Sequence, residues 1–138
     1  MDPTATPDVV DRLLRTPATW AVVGLSTNTA RAAYGVAAYL QRLGHTIVPV
    51  HPGAHTVHGA TGYARLSDLP VPPDVVDVFV NSARAGAVID EAVEIGARTV
   101  WLQLGVHDDA AVARARAAGL EVVQDTCPAI EGRARGLG

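Results

Sequence analysis

The first residues that could do chemistry follow a short apolar run near the N-terminus. Gly24 closes the run "TWAVVGL", and Arg31 stands where a helical pattern begins. The polar residues between them are Ser26, Thr27, Asn28 and Thr29. A glycine allows a tight turn, and the unpaired N–H groups and positive dipole end of the next helix suit a phosphate or pyrophosphate, to which Arg31 adds a bidentate charge. The loop predicts an anion site; the alternative is that residues 27–29 only cap the helix and Arg31 is solvated.

The end of the second apolar run distinguishes between nucleotides. A dinucleotide-binding chain usually shows G-x-G-x-x-G, and then an acidic residue about 20 positions on that binds the ribose hydroxyls. This chain has "GLSTNTA" and then "PVHPG", so that His51, which could carry a positive charge, stands in place of the acid. The pattern disfavours NAD and favours a nucleotide with an additional phosphate.

Further polar residues each allow a chemical and a structural interpretation. His51, His55 and His58 could bind a metal, but a Pro-Gly turn interrupts them, so a solvated loop is favoured. Cys127 could act as a nucleophile or exchange with a bound thiol, against the favoured interpretation of a buried, inert thiol. Asp77 could be a perturbed acid, or could face a sheet edge or a helix N-terminus.

Gln103 and Gly105 end a later strand, where either a close backbone approach to a ligand or an ordinary turn would place them. The chain shows no nucleophile elbow, no paired carboxylates and no metal-ligand spacing. These residues favour a binding module over a complete enzyme.

The elements that position these residues alternate between strand and helix. Strands are predicted at "TWAVVGL", "HTIVPV", "DVVDVFV", "RTVWLQL" and "EVVQD", with a weak strand near Tyr63 and a short turn at residues 67–69. Helices are predicted at residues 8–15, with Asp8 as the N-cap, and at residues 32–43, 85–96 and 108–119.

Near-continuous apolar strands that alternate with amphipathic helices predict an α/β, doubly wound parallel sheet. If the segment near Tyr63 is the third strand, the order is 3-2-1-4-5-6, and ligands bind at the carboxyl ends of strands 1 and 4. The 138 residues suit a single domain, 1–138, with residues 1–16 as an N-terminal helical arm.

Composition excludes several classes of function. The net charge is −3, and the eleven basic residues are scattered, so a nucleic-acid partner is not expected. All eleven are arginine, which excludes a P-loop lysine and a Schiff-base lysine. One cysteine, no signal sequence and no long apolar stretch predict a cytoplasmic protein that does not enter a membrane.

Several blocks in a fixed order resemble the small, single-domain CoA-binding proteins, which are related to the nucleotide domain of succinyl-CoA synthetase. The resemblance covers about residues 18–131. The blocks are "VVGLSTN" with Arg31 and Tyr34, "IVPVHPG", "DVVDVF", "TVWLQLG", "AGLEVVQDTCP" and Glu131.

The resemblance implies a Rossmann-like domain that binds coenzyme A or an acyl-CoA through the glycine loop and the helix N-terminus. It implies phosphate contacts at Gly24, Ser26 and Asn28 with Arg31 beside them, and an adenosine site at Val50, His51, Pro52 and Gly53. The other expected cofactor contacts are Thr27, Tyr34, Phe79, Gln103 and Gly105. An NADP-linked oxidoreductase domain and a nucleotide-responsive interaction protein are the alternatives, and a homodimer or an unidentified protein partner is left open.

Overall fold

The computed structural model describes residues 7–138, and five strands in these residues form one parallel sheet. The strands are β1 Thr19–Val23, β2 Thr46–Val50, β3 Val75–Val78, β4 Thr99–Leu102 and β5 Glu121–Val123. Every residue of β3 and β4 is buried, because helices cover both faces of the sheet. This double coverage explains why the strands are near-continuous apolar runs without alternation, interrupted in β3 by Asp77.

Helices pack on the two faces of the sheet as separate layers. The helices are α1 Pro7–Arg15, α2 Ala32–Arg42, α3 Ser82–Glu94, α4 Asp109–Ala117 and α5 Pro128–Ala134, with a 3-10 turn at Leu66–Asp68. One core lies between the sheet and α1, α2 and α5, and the other lies between the sheet and α3 and α4. Helix α5 is not predicted from the sequence.

The sheet has the order β2-β1-β3-β4-β5, so the predicted order 3-2-1-4-5-6 is wrong. Tyr63 forms only an isolated parallel bridge to Val50, with its N–H donating to the Pro49 carbonyl at 2.9 Å. Since the Pro49 carbonyl faces outward to Tyr63, the Pro49 nitrogen faces the same side, where it has no N–H to donate. Pairing therefore stops after one residue, and β2 is the edge strand.

The connection after β1 leads to β2 on one side of β1, and the connection after β2 leads back to β3 on the other side. In parallel α/β sheets such a reversal opens a crevice at the carboxyl ends of the two diverging strands. Here the crevice lies at the carboxyl ends of β1 and β3, between the N-terminal ends of α2 and α3.

Two expectations about acidic residues are wrong. Helix α1 begins at Pro7, so Asp8 lies in its first turn and is not its N-cap, since proline is favoured at the first helical position. Asp77 does not lie at a sheet edge, because β3 is the central strand and pairs with β1 and β4. Its carboxyl also accepts no helix N–H among the described residues. Residues 1–6 of the expected arm lie outside the described residues.

His45 links α1 to the start of the sheet. It follows Gly44, which ends α2 with a φ of +97°, and it is only 5% exposed. Its Nδ1 accepts the Ala18 N–H at 3.2 Å, and its Nε2 donates to the Leu14 carbonyl at 3.0 Å. Burial lowers the pKa of His45, because the charged imidazolium would lose hydration.

Candidate functional site

The turn after β1 requires a glycine. Gly24 has a φ of +105°, and its N–H donates to the Val50 carbonyl at 2.8 Å. A Cβ at this position would lie 3.2 Å from the Phe79 Cβ and 3.3 Å from the Phe79 carbonyl carbon and oxygen. Both the backbone angle and the close approach of the chain after β3 exclude a side chain without strain.

The loop after Gly24 is organised by its own polar groups. The Ser26 Oγ accepts the Asn28 N–H at 3.2 Å, and the Asn28 Oδ1 accepts the Ala30 N–H at 3.0 Å. The Arg31 N–H donates to the Asn28 carbonyl at 3.2 Å. Two successive turns therefore lead directly into α2.

The N-terminus of α2 has no side-chain cap among the described residues. Arg31 is the N-cap, so the alternative interpretation that residues 27–29 cap the helix is wrong. The two turns described above separate residues 27–29 from Ala32, the first residue of α2. Their side chains therefore do not cap the N–H groups of the helix. The N–H groups of Ala32 and Ala33 have no acceptor within the helix, and both residues face the cavity.

Helix α3 begins at the same cavity, but its N-terminus is capped. The Asn81 Oδ1 accepts the Arg84 N–H at 3.1 Å. Ser82 fixes the loop after β4, because its Oγ donates to the Gly105 carbonyl at 3.3 Å and accepts the His107 N–H at 2.9 Å. The Gly105 N–H donates to the Asp125 carboxylate at 2.9 Å, which holds the rim of the cavity from the other side.

A cavity of about 580 Å³ lies at these strand and helix ends. The predicted residues that line it are Gly24, Ser26, Asn28, Arg31, His51, Phe79, Gln103 and Gly105. The lining residues that the sequence analysis missed are Ala32, Ala33, Val80, Asn81, Arg84, Leu104 and Val106. The predicted residues outside the lining are Thr27, Tyr34, Val50, Pro52 and Gly53.

Tyr34 shows why some predicted contacts fall outside the cavity. Its ring packs against His58 at a centroid distance of 4.3 Å, and the His58 ring nitrogen lies 2.7 Å from the Tyr34 carbonyl oxygen. Val50 is 3% exposed, so its side chain belongs to the core. Pro52 and Gly53 are exposed beyond the end of β2.

The described lining of the cavity carries positive and no negative side chains. Arg31 and Arg84 are exposed, and neither guanidinium forms an ion pair or hydrogen bond within residues 7–138. No carboxylate is among the described lining residues. Two arginines beside an uncapped helix N-terminus form a surface that attracts anions.

His51 lines the same cavity at the end of β2. Its Nδ1 accepts the Gly53 N–H at 3.0 Å, which leaves its Nε2 as the ring nitrogen that can donate. In the part of the chain that the structure describes, no cluster of three or more His, Cys, Asp or Glu side chains could hold a metal.

Gln103 differs from the other polar residues in the lining. It is 8% exposed, and its Oε1 is buried without a hydrogen-bond partner. Its backbone is fixed, because its N–H donates to the Val78 carbonyl at 3.3 Å and its carbonyl accepts the Val106 N–H at 3.0 Å. The end of β4 therefore places a buried amide oxygen without a partner beside the cavity.

Asp77 and Cys127 lie outside the lining. Asp77 is 0% exposed, both of its carboxyl oxygens lack a partner among the described residues, and burial raises its pKa well above the ordinary value. Cys127 is buried, as the structural interpretation predicts. Neither side chain is placed to meet a molecule in the cavity.

Arg84 is the most important residue that the sequence analysis missed. It lies three residues after Asn81, in the first turn of the helix that follows β3. A polar N-cap candidate directly after a strand, followed by a basic residue in the first turn, is the signal that could have identified it.

Comparison with known proteins gives one consistent result. A family model described as a CoA binding domain matches residues 18–133. The uncharacterised protein YneT of Bacillus subtilis is 32% identical over 107 residues, which cover 78% of this chain and 79% of YneT. A hypothetical protein of Pyrococcus horikoshii superimposes with a TM-score of 0.89 at 30% identity, over 96% of this chain and 93% of that protein.

A larger protein contains a similar domain. An acetyl-coenzyme A synthetase of Ca. Korarchaeum cryptofilum, solved with phosphate and ADP, matches with a TM-score of 0.69 at 25% identity. The match covers 82% of this chain but only 26% of the synthetase.

No helix in residues 7–138 is long and apolar enough to cross a membrane.

Proposed function

This chain belongs to the family of CoA-binding domains, and on that premise we propose that it binds coenzyme A, or an acyl-CoA, in the cavity at the carboxyl ends of β1 and β3. The observation that carries the proposal is the uncapped N-terminus of α2, next to two arginines without ion pairs among the described residues. A diphosphate supplies the acceptors and the negative charge that these groups lack.

Each part of the ligand has a proposed counterpart in the cavity. The diphosphate accepts from the N–H groups at the start of α2 and from Arg31, with Ser26 and Asn28 beside it. Arg84 lies across the cavity at the start of α3, where a further phosphate would neutralise it. The adenosine lies near the end of β2. There the Nε2 of His51 is a hydrogen-bond donor for a ring nitrogen or a ribose oxygen.

The proposed role is to bind CoA. The two states that matter to the cell are then the CoA-bound and the CoA-free form of the protein. A cytoplasmic domain of this kind would report on the supply of CoA, or hold it for another protein. In the acetyl-coenzyme A synthetase described above, the similar domain makes up about a quarter of the chain.

Thermal unfolding with candidate ligands tests the proposal. A ligand that binds the folded state alone stabilises it by RT ln(1 + [L]/Kd), which is about 2.7 kcal/mol at a hundred times Kd. We expect CoA and desulfo-CoA to raise the midpoint by similar amounts, because both carry the same phosphates. NAD, which has no third phosphate, should raise it less.

Two outcomes would contradict the proposal. No shift at millimolar CoA would remove CoA as the ligand. A larger shift with NADP than with CoA would favour the dinucleotide alternative, and isothermal titration would then give the two affinities directly.

A further inference from the structure

The Oε1 of Gln103 is buried and has no hydrogen-bond partner within residues 7–138. The whole residue is 8% exposed, so water reaches little of it. A buried amide oxygen without a partner costs free energy, and native proteins rarely retain one without a reason. A ligand in the cavity is a partner that would remove this cost.

The backbone of Gln103 is fixed, whereas its side-chain amide can rotate. Both of its backbone groups are bonded, to the Val78 carbonyl and the Val106 N–H, so the position of its Cα is fixed. The terminal torsion of glutamine is soft and roughly two-fold, so either end of the amide can turn to the cavity. The group can therefore donate, accept, or do both to a second amide.

An apolar wall separates Gln103 from the phosphate end of the cavity. Gly24 follows β1 and Gln103 follows β4, with β3 between them, so the two sites are two strand spacings or about 10 Å apart. Phe79 and Val80, which follow β3, line the cavity between them. A molecule that crosses the cavity meets cations and helix N–H groups, then an apolar surface, and then an amide.

We propose that Gln103 is a specificity-determining residue that pairs with an amide of the ligand, beyond the apolar wall from the phosphates. This inference rests on the proposed function. In CoA, a short branched segment with two methyl groups and one hydroxyl follows the diphosphate, and an amide of the pantetheine arm follows that segment. The carboxamide of a nicotinamide dinucleotide is a second source of the same chemistry, so the experiment includes it.

Isothermal titration with a whole and a truncated ligand tests the pairing. We expect Gln103→Leu to weaken CoA binding about 3- to 10-fold, the effect of one neutral amide pair. The affinity for adenosine 3′,5′-bisphosphate, which lacks the pantetheine arm and the outer phosphate of the diphosphate, should change by less than about twofold in Gln103→Leu. Arg31→Ala is the matched variant at the phosphate end, and it should weaken both ligands.

Folding of the variant is checked by the same unfolding measurement used for ligand binding. Leucine removes an unpartnered amide, so Gln103→Leu should unfold at the same midpoint as the parent or higher. Gln103→Met, which has a similar length and no amide, should reproduce its binding. A lower midpoint in both variants would show that the amide is already bonded in the free protein, and would overturn the inference.

The remaining outcomes separate this inference from the proposed function. Unchanged CoA affinity in Gln103→Leu, or equal losses for CoA and the bisphosphate, would overturn the role of Gln103 while CoA binding stands. NADP is titrated into the parent and into Gln103→Leu in the same way. A loss of affinity for NADP with none for CoA would overturn the pantetheine assignment. If the parent binds neither CoA nor the bisphosphate, the proposed function fails, and the inference fails with it.

Discussion

Replacing Gly24 by alanine tests the central geometric feature of the site. Two separate costs are expected in Gly24→Ala. The first is the positive φ of +105°, which costs an L-residue about 1–3 kcal/mol. The second is the new Cβ, which would lie 3.2 Å from the Phe79 Cβ and 3.3 Å from its carbonyl group.

The second cost depends on what can move. The atoms that the Cβ meets are backbone atoms and a Cβ in the residue directly after β3, where the Phe79 N–H donates to the Val23 carbonyl at 2.9 Å. Because this backbone is bonded to β1 itself, it cannot withdraw without breaking the sheet. Crowding of this kind costs about 1–3 kcal/mol. We therefore expect Gly24→Ala to lose about 2–4 kcal/mol of unfolding free energy, the sum of costs that overlap in part.

Two other glycines provide matched controls. Gly44 has a similar φ of +97°, and a Cβ there would meet nothing within 4 Å, so Gly44→Ala carries the cost of the backbone angle alone. Gly35 lies inside α2 without a positive φ and with open space around it, so Gly35→Ala should gain about 0.5–1 kcal/mol.

Equilibrium unfolding in urea gives all three values. Trp20 and Trp101 are both buried, so their fluorescence reports on the core. From the most to the least stable protein, the expected order is Gly35→Ala, parent, Gly44→Ala and Gly24→Ala. If Gly24→Ala loses no more than Gly44→Ala, the approach of Phe79 does not constrain the turn, and the reasoning is refuted.

Three further predictions concern the buried titratable groups and the arginines. Burial raises the pKa of Asp77 above its ordinary 3.8, so the folded state keeps a proton that the unfolded state releases; stability falls as pH rises above about 4, and Asp77→Asn should remove this loss in denaturation at pH 5 and 8. Burial lowers the pKa of His45 below its ordinary 6.5, so the unfolded state binds more protons; stability falls as pH drops below about 6.5, and melting at pH 7.5 and 5.5 should show a smaller loss in His45→Gln. Arg31→Ala and Arg84→Ala should each weaken CoA binding by about 1–2 kcal/mol, or roughly 5- to 30-fold by titration, whereas Arg116→Ala, on α4 outside the cavity lining, should leave the affinity unchanged; equal effects at all three positions would contradict a specific phosphate site.

Most of the fold follows from local patterns in the sequence. The five strands of the sheet were predicted, and so were the helices that end before Gly44, Gly96 and Gly119, because apolar periodicity and a glycine stop are local signals. The predicted strand order was wrong because the segment near Tyr63 has strand-like residues. The missing N–H of Pro49 limits its pairing only once that segment lies beside β2, which no local pattern in the sequence reveals.

Helix α5 was missed for a different reason. It has seven residues, fewer than a helical period needs to become visible, and Gly132 lies within it. A Cβ at Gly132 would collide with the ring of Tyr39, so this glycine serves a contact that is remote in sequence. Such contacts override helix propensity and leave no local pattern.

The candidate site was predicted where one loop supplies it. Gly24, Ser26, Asn28 and Arg31 share a single strand–helix connection, and all four line the cavity. Arg84 was missed because its place depends on a second connection, which reaches the cavity only through the topology of the sheet. The directions of side chains such as Tyr34 depend on tertiary packing, which the spacing of residues does not encode.

The outer edge of β2 limits how this protein can associate. An exposed edge strand is a template on which another chain can add its own strand, and this is a common route to fibrils and to swapped dimers. On β2 the Tyr63 N–H and carbonyl already occupy the Pro49 carbonyl and the His51 N–H, and Pro49 offers no donor. A second chain would find no continuous ladder there. A single sheet therefore cannot continue across β2 from one copy to the next, and of the two sheet edges β5 is the one left for such pairing.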